Sequence, residues 1–208
     1  MNQLKEMLRL QDEINCKINH NWVELNRPWF RAIWLEAAEA VNDHCDWKWW
    51  KHGADNREQI VLEVVDIAHF IWAQLIQDCG AIPEDGQIDR FAGQMQSVLQ
   101  AEQALGLIEA FEALAQATLT SQKAELEAFA RVMLAVGMSF DELFCSYVGK
   151  NILNRFRQDH GYKSGEYQKI WAGREDNEHL TELLLELDSA SDSFASDLYL
   201  ALQARYPR

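Results

Sequence analysis

The sequence predicts an all-α fold, a multi-helix bundle, and three observations carry that expectation. The 208 residues contain only three prolines, Pro28, Pro83 and Pro207, so little interrupts a helix. Long segments rich in Ala, Leu, Glu and Gln place apolar residues at three- and four-residue steps, the spacing of one helical face. Gly53, Gly80, Gly137, Gly161, Gly165 and Gly173 fall where those patterns stop.

The helices read in order as follows. Residues 2–18 carry "MLRLQDEIN", and residues 28–45 carry "WFRAIWLEAAEAV". A third helix over 56–79, capped by Asp55 or Asn56 and stopped at Gly80, is apolar on nearly all sides. Helices over 86–103, 105–117 and 122–136 follow, and residues 84–131, dominated by Ala, Leu, Gln and Glu, read as a helical cover or a dimerisation surface. Residues 139–158 and 177–204 complete the set, the last broken near "DSASD". The polar stretch between them, with three glycines, is the one long non-helical segment expected, and a loop of that length in a compact domain points to function or disorder. No Pro- or Ser-rich linker divides the chain, so residues 1–208 are expected to form one domain with a mobile loop at 161–177.

With 48% hydrophobic and 25% charged residues the chain is too apolar for intrinsic disorder. A formal net charge of −14 argues against a general nucleic-acid binder, because phosphate backbones are gripped by clustered cations. No apolar run approaching bilayer length and no signal-peptide core are expected, which favours a cytoplasmic protein with no membrane partner. Cys16, Cys45, Cys79 and Cys145 are scattered without a CxxC pair, so neither a zinc knuckle nor a disulfide framework is indicated.

The chemistry is concentrated in two acidic pairs of equal spacing, Glu36 with Glu39 and Glu63 with Asp66. Positions three apart lie on one helical face, so each helix offers a two-pronged clamp. Apolar neighbours, Trp29, Ile33 and Trp34 for one pair and Ile60, Val64, Val65 and Ile67 for the other, imply packed helices. Four carboxylates brought together there would repel one another unless cations held them, and hard divalent cations prefer oxygen ligands. A di-iron centre would need a Glu-x-x-His on each of two helices. Only Asp66-x-x-His69 is present on a core-like helix, so His69 reads as the hydrogen-bonding wall of a pocket.

Two further stretches bring cations and rings. "DWKWWKHG" supplies Trp47, Lys48, Trp49, Trp50 and Lys51, which suit a ligand flat at one end and anionic at the other. The densest basic run is "GKNILNRFRQDHGYKSGEYQKIWAGREDN", residues 149–177. Within it Lys150, Asn154 and Arg157 fall at steps of four and three, so one helix face presents an ammonium, an amide and a guanidinium, a phosphate grip.

On "MLRLQDEIN", "EAAE", "DWKWWK", "EVVDIAHF" and the 149–177 segment, the chain resembles the dimeric all-α dUTPases, within the all-α NTP pyrophosphatase superfamily. The resemblance implies hydrolysis of dUTP, and also dUDP, to dUMP by a homodimer. It implies that Glu36, Glu39, Glu63 and Asp66 hold Mg²⁺, two or more ions, and that Glu36 orients or deprotonates the attacking water. Lys150, Asn154, Arg157, Tyr162, Lys169 and Asn177, joined by Lys48, are assigned to phosphates and sugar. Gln11, Asn15, Trp47 or Trp50, His69 and Phe70 are assigned to the base. Two other readings stay open: a related dCTP or non-standard dNTP pyrophosphatase, and a non-catalytic helical interaction module.

Overall fold

A computed structural model of the chain describes residues 2–44, 46–50, 56–101, 103–188, 191 and 193–207. Cys45, Lys51, Gly53 and Asp55, invoked above, lie outside the described residues. The described chain is all-α: α1 (Asn2–Ile18), α2 (Phe30–Glu39), α3 (Arg57–Cys79), α4 (Asp85–Ala101), α5 (Leu107–Ser121), α6 (Leu126–Val136), α7 (Phe140–Asp159), α8 (Asp176–Glu186) and α9 (Phe194–Arg205). A π-helical turn, Ala40–His44, extends α2, and the only strands among the described residues are the two-residue β1 (Ile170–Trp171) and β2 (Arg174–Glu175). The helices end where turn chemistry ends them. Asn56 caps α3 by accepting the Gln59 backbone N–H at 3.3 Å, and Gly80 closes it at φ 75°.

The chain forms two compact units, Met1–Phe144 and Cys145–Arg208, the division falling inside α7. In the first, α3 is the central element. Helix α1 packs against it, α2 lies between α3 and α5, and α4 and α5 both pack on α6. Ile60, Val64, Val65, Ile67, Ala68, Ile71 and Trp72 of α3 are buried, and the Trp72 ring meets Phe129 edge-on at 6.1 Å. This helix has the length and apolar composition of a membrane span, which corrects the expectation that no such run exists. The 72% burial of its apolar window is that of a core helix. Half-buried Gln59, Glu63, Asp66, Phe70 and Gln77 follow one another at steps of four, three, four and seven and so share one partly open stripe, with Val61 half-buried off it. Glu36, Glu63 and Asp66 are therefore half-buried and Glu39 exposed, where the sequence implied carboxylates enclosed on nearly all sides.

The second unit is organised around Phe156. Its ring stacks on His160 at 3.9 Å and meets Trp171 at 5.8 Å and Tyr199 and Tyr206 at 5.3 Å each. Buried Leu153, Leu180, Leu183, Leu198 and Leu202 surround these rings. Helices α7 and α8 approach so closely that a Cβ on Gly149 would lie 2.6 Å from Leu184 Cδ2. The segment expected to be a long loop contains the β1–β2 hairpin, turned by Ala172 and Gly173, both at positive φ, as a two-residue primed turn requires. Fully buried Trp171 anchors that hairpin, donating its indole N–H to the Gln168 carbonyl at 2.6 Å.

Phe156→Ala removes the ring shared by five aromatic neighbours. It is expected to destabilise the protein by about 3–5 kcal/mol in chemical denaturation. A change below about 1 kcal/mol would show that these rings do not share one core.

Candidate active site

Helices α2 and α3 bring their acids together. Carboxylate oxygens of Glu36, Glu39 and Glu63 lie within 4.8 Å of one another. Asp66, one turn beyond Glu63, is not part of that mutual set, but its charge acts directly on Glu36. Burial first, then Asp66, a hydrogen bond with Glu63 and the charges of Glu63 and Glu39 push the Glu36 carboxyl up to about 8. Without a cation the cluster therefore retains a proton near neutral pH. The donor set fits a hard divalent cation. Oxygens around Mg²⁺ stand roughly 3 Å apart when adjacent and roughly 4 Å apart when opposite, so only a small tightening is needed.

Farther along α3 a second group forms with α1. Gln11 Oε1 lies 2.7 Å from His69 Nδ1, and Gln11 Nε2 donates to Asn15 Oδ1 at 3.1 Å. All three side chains are buried. Because the Gln11 oxygen accepts, Nδ1 carries the proton and Nε2 of His69 is left as the acceptor nitrogen. The Asn15 Nδ2 donor is buried with no hydrogen-bond acceptor among the described residues. Phe70 lies beside this chain, and the ring stacked on it, at 6.1 Å and 23°, is Trp29. Gln77 fixes Trp29 by accepting its indole N–H at 3.0 Å, and Trp22 meets Trp29 edge-on at 6.0 Å. Sequence reasoning missed Trp22, Trp29 and Gln77. The signal for Gln77 was its place on the Glu63–Asp66–Phe70 stripe.

Trp47 and Trp50 pack on each other, edge-on at 5.4 Å, and Trp47 donates its indole N–H to the Val41 carbonyl at 2.7 Å. Trp47 also lines a shallow groove with Ala37, Val41, Phe111 and Ala115. Lys48 lies over the Trp47 ring and donates to Asn42 Oδ1.

In the second unit, Lys150, Asn154, Arg157, Tyr162 and Asn177 come together around a residue the sequence did not single out, Asp176. Arg157 donates Nε–H and Nη2–H to the two Asp176 oxygens, each at 2.8 Å. It also donates to Asn154 Oδ1 at 3.2 Å and lies 5.9 Å above the Tyr162 ring. Buried Lys150 donates to Asn177 Oδ1 at 3.2 Å. Lys169 faces outward, paired with Glu175 at 3.3 Å. Burial alone would raise the Asp176 carboxyl, but the Arg157 guanidinium and the Tyr167 hydroxyl hold it below the usual carboxylate range.

The chain is thus all-α, with converging carboxylates on one helix pair and a cluster of Lys150, Asn154, Arg157 and Asn177 on α7 and α8. A family model described as dUTPase matches residues 3–162, and the chain belongs to this dUTPase family. It is accordingly a dUTP diphosphatase, acting on a nucleotide, in a family that generally uses a divalent metal. No curated protein matches the chain.

Between about pH 4.5 and 8 the folded chain binds more protons at Glu36 than the unfolded chain does. Metal-free stability is therefore expected to fall as pH rises through that window. Asp176, with its lowered pKa, acts with the opposite sign only at more acid pH. Thermal melts from pH 5 to 8 in chelator should show the decline, and Glu36→Gln should flatten it. An unchanged slope in Glu36→Gln would remove Glu36 as its source.

Proposed function

We propose that the chain hydrolyses dUTP, and also dUDP, to dUMP with Mg²⁺ held by Glu36, Glu39, Glu63 and Asp66 as two or more ions. The observation that carries this reading is the convergence of Glu36, Glu39 and Glu63, whose carboxylate oxygens lie within 4.8 Å of one another, with burial and the neighbouring acids pushing the Glu36 carboxyl up to about 8. A divalent cation supplies charge neutralisation for the phosphates and makes water a better nucleophile. Once its proton is displaced, the Glu36 carboxylate is the base that orients and deprotonates the water attacking the α-phosphorus. Lys150, Asn154, Arg157, Tyr162, Lys169 and Asn177, with Lys48, bind phosphates and sugar, and pyrophosphate leaves from dUTP.

For the base, the His69 Nε2 acceptor and the Asn15 Nδ2 donor complement the N3–H and a carbonyl of uracil. Cytosine presents the reverse pattern, an acceptor at N3 and a donor at N4, and would leave both groups mispaired. Phe70 covers the base face, together with Trp47 or Trp50. The chain acts as a homodimer in this scheme, which sedimentation would test. A cytoplasmic location and the absence of nucleic-acid and membrane partners complete the reading. The loop 161–177 is a lid in this scheme. Exchange of its amides should slow strongly when Mg²⁺ and a non-hydrolysable dUTP analogue bind, and equal protection in both states would make it a fixed element.

Glu36→Gln and Glu63→Gln keep side-chain shape and remove charge. Each is expected to lower turnover about a thousandfold or more while leaving helix content intact. Near-normal kcat for both at saturating Mg²⁺ would sink the metal assignment. With a panel of dNTPs, kcat/KM should favour dUTP over dCTP; equal values would make the protein a broader dNTP pyrophosphatase and leave its metal chemistry untouched.

A further inference from the structure

We propose that Asp176 is a positioning residue for phosphate binding: its carboxylate sets the plane of the Arg157 guanidinium, and Tyr167 holds the carboxylate in turn. The inference rests on the reading of Arg157 as a phosphate-binding group. Asp176 is fully buried, at 0% exposure, and receives both fork hydrogen bonds of Arg157 at 2.8 Å. A bidentate pair of this kind fixes orientation as well as distance. Tyr167 donates its hydroxyl to Oδ2 of the same carboxylate, also at 2.8 Å. Asn154 and Asn177 accept from the terminal nitrogens of the guanidinium at 3.2 and 3.4 Å. Asn177 Oδ1 also accepts from Lys150, so the two cations share one amide oxygen and the Asn177 NH₂ is turned away from both.

Asp176 is held from several sides in this structure. It is the first residue of α8, whose start is closed by a reciprocal capping box between Glu175 and Glu178. Its backbone N–H donates to the Lys169 carbonyl at 3.0 Å, tying α8 to the hairpin. Tyr167 stacks on Tyr206 at 5.4 Å and 15°, while the Tyr206 hydroxyl accepts the Gln168 N–H at 3.0 Å. A buried ion pair adds little stability over a well-packed apolar replacement, so its role here is to hold a charged group in one geometry. Residues 163–208, which include Tyr167 and Asp176, lie beyond the family match.

The test compares Asp176→Asn, Tyr167→Phe, Arg157→Ala and the Arg157→Ala/Asp176→Asn double variant. Binding of a non-hydrolysable dUTP analogue with Mg²⁺, and of deoxyuridine, is measured by calorimetry beside kcat and KM, with circular dichroism for fold. Asp176→Asn is expected to weaken analogue binding about tenfold or more, Tyr167→Phe severalfold, and neither should alter deoxyuridine binding. In the Arg157→Ala background Asp176→Asn should add nothing, because it acts through that guanidinium. Wild-type analogue binding by Arg157→Ala would overturn the phosphate reading and the proposal with it. If Arg157→Ala binds weakly, three results each overturn the positioning role alone: wild-type binding by both single variants, additive losses in the double variant, or equal loss of deoxyuridine binding. Should Asp176→Asn fail to fold, Tyr167→Phe, which keeps the ion pair, decides.

Discussion

Negative charges facing one another across the α2–α3 contact are the constraint on which the first unit depends. Helix α3 has to be both the centre of a hydrophobic core and the carrier of two carboxylates, and it meets both demands by periodicity. Its buried apolar positions cover most directions, and Glu63 and Asp66 lie along a stripe that stays partly open. The acids are then held by a helix that cannot rotate without unpacking the core, and α2 presents Glu36 and Glu39 from a partner equally fixed between α3 and α5. The packing here is set against electrostatic preference, and the Glu36 carboxyl, pushed up to about 8 by burial and the neighbouring acids, expresses that conflict.

The second unit solves the converse problem, holding positive charge in an interior. Lys150 is only 3% exposed, and the Arg157 side chain is 12% exposed. Their charges are accommodated by directed oxygen acceptors, Asn154, Asn177 and Asp176, of which one alone is ionised. The ring cluster around Phe156 excludes water from one side of this network, which strengthens each hydrogen bond within it.

Most of the helical architecture was legible because it rests on periodicity and on local stop signals, such as Asn56 and Gly80 at the two ends of α3. The break after Glu186 was visible in "DSASD" for the same reason. The hairpin within the long polar segment was not, since it depends on Trp171 finding a core made by distant residues. Asp176 looked like an ordinary acid at a helix start, and its burial follows only from the meeting of α7, α8 and Tyr167. The acid pairs were legible through spacing and the Gln11–Asn15–His69 chain through resemblance. Trp29 was hidden because its role is set by a stacking partner forty-one positions away.

The stacking of Tyr206 on Tyr167 has a practical corollary. Tyr206, the C-cap residue of α9, packs on the ring whose hydroxyl holds the Asp176 carboxylate, so α9 is linked to the cation cluster through the single side chain of Tyr167. Loss of the Tyr206 ring would loosen Tyr167 and, through it, the Asp176 carboxylate. A change on the far side of the ring cluster would then alter how tightly a nucleotide is held.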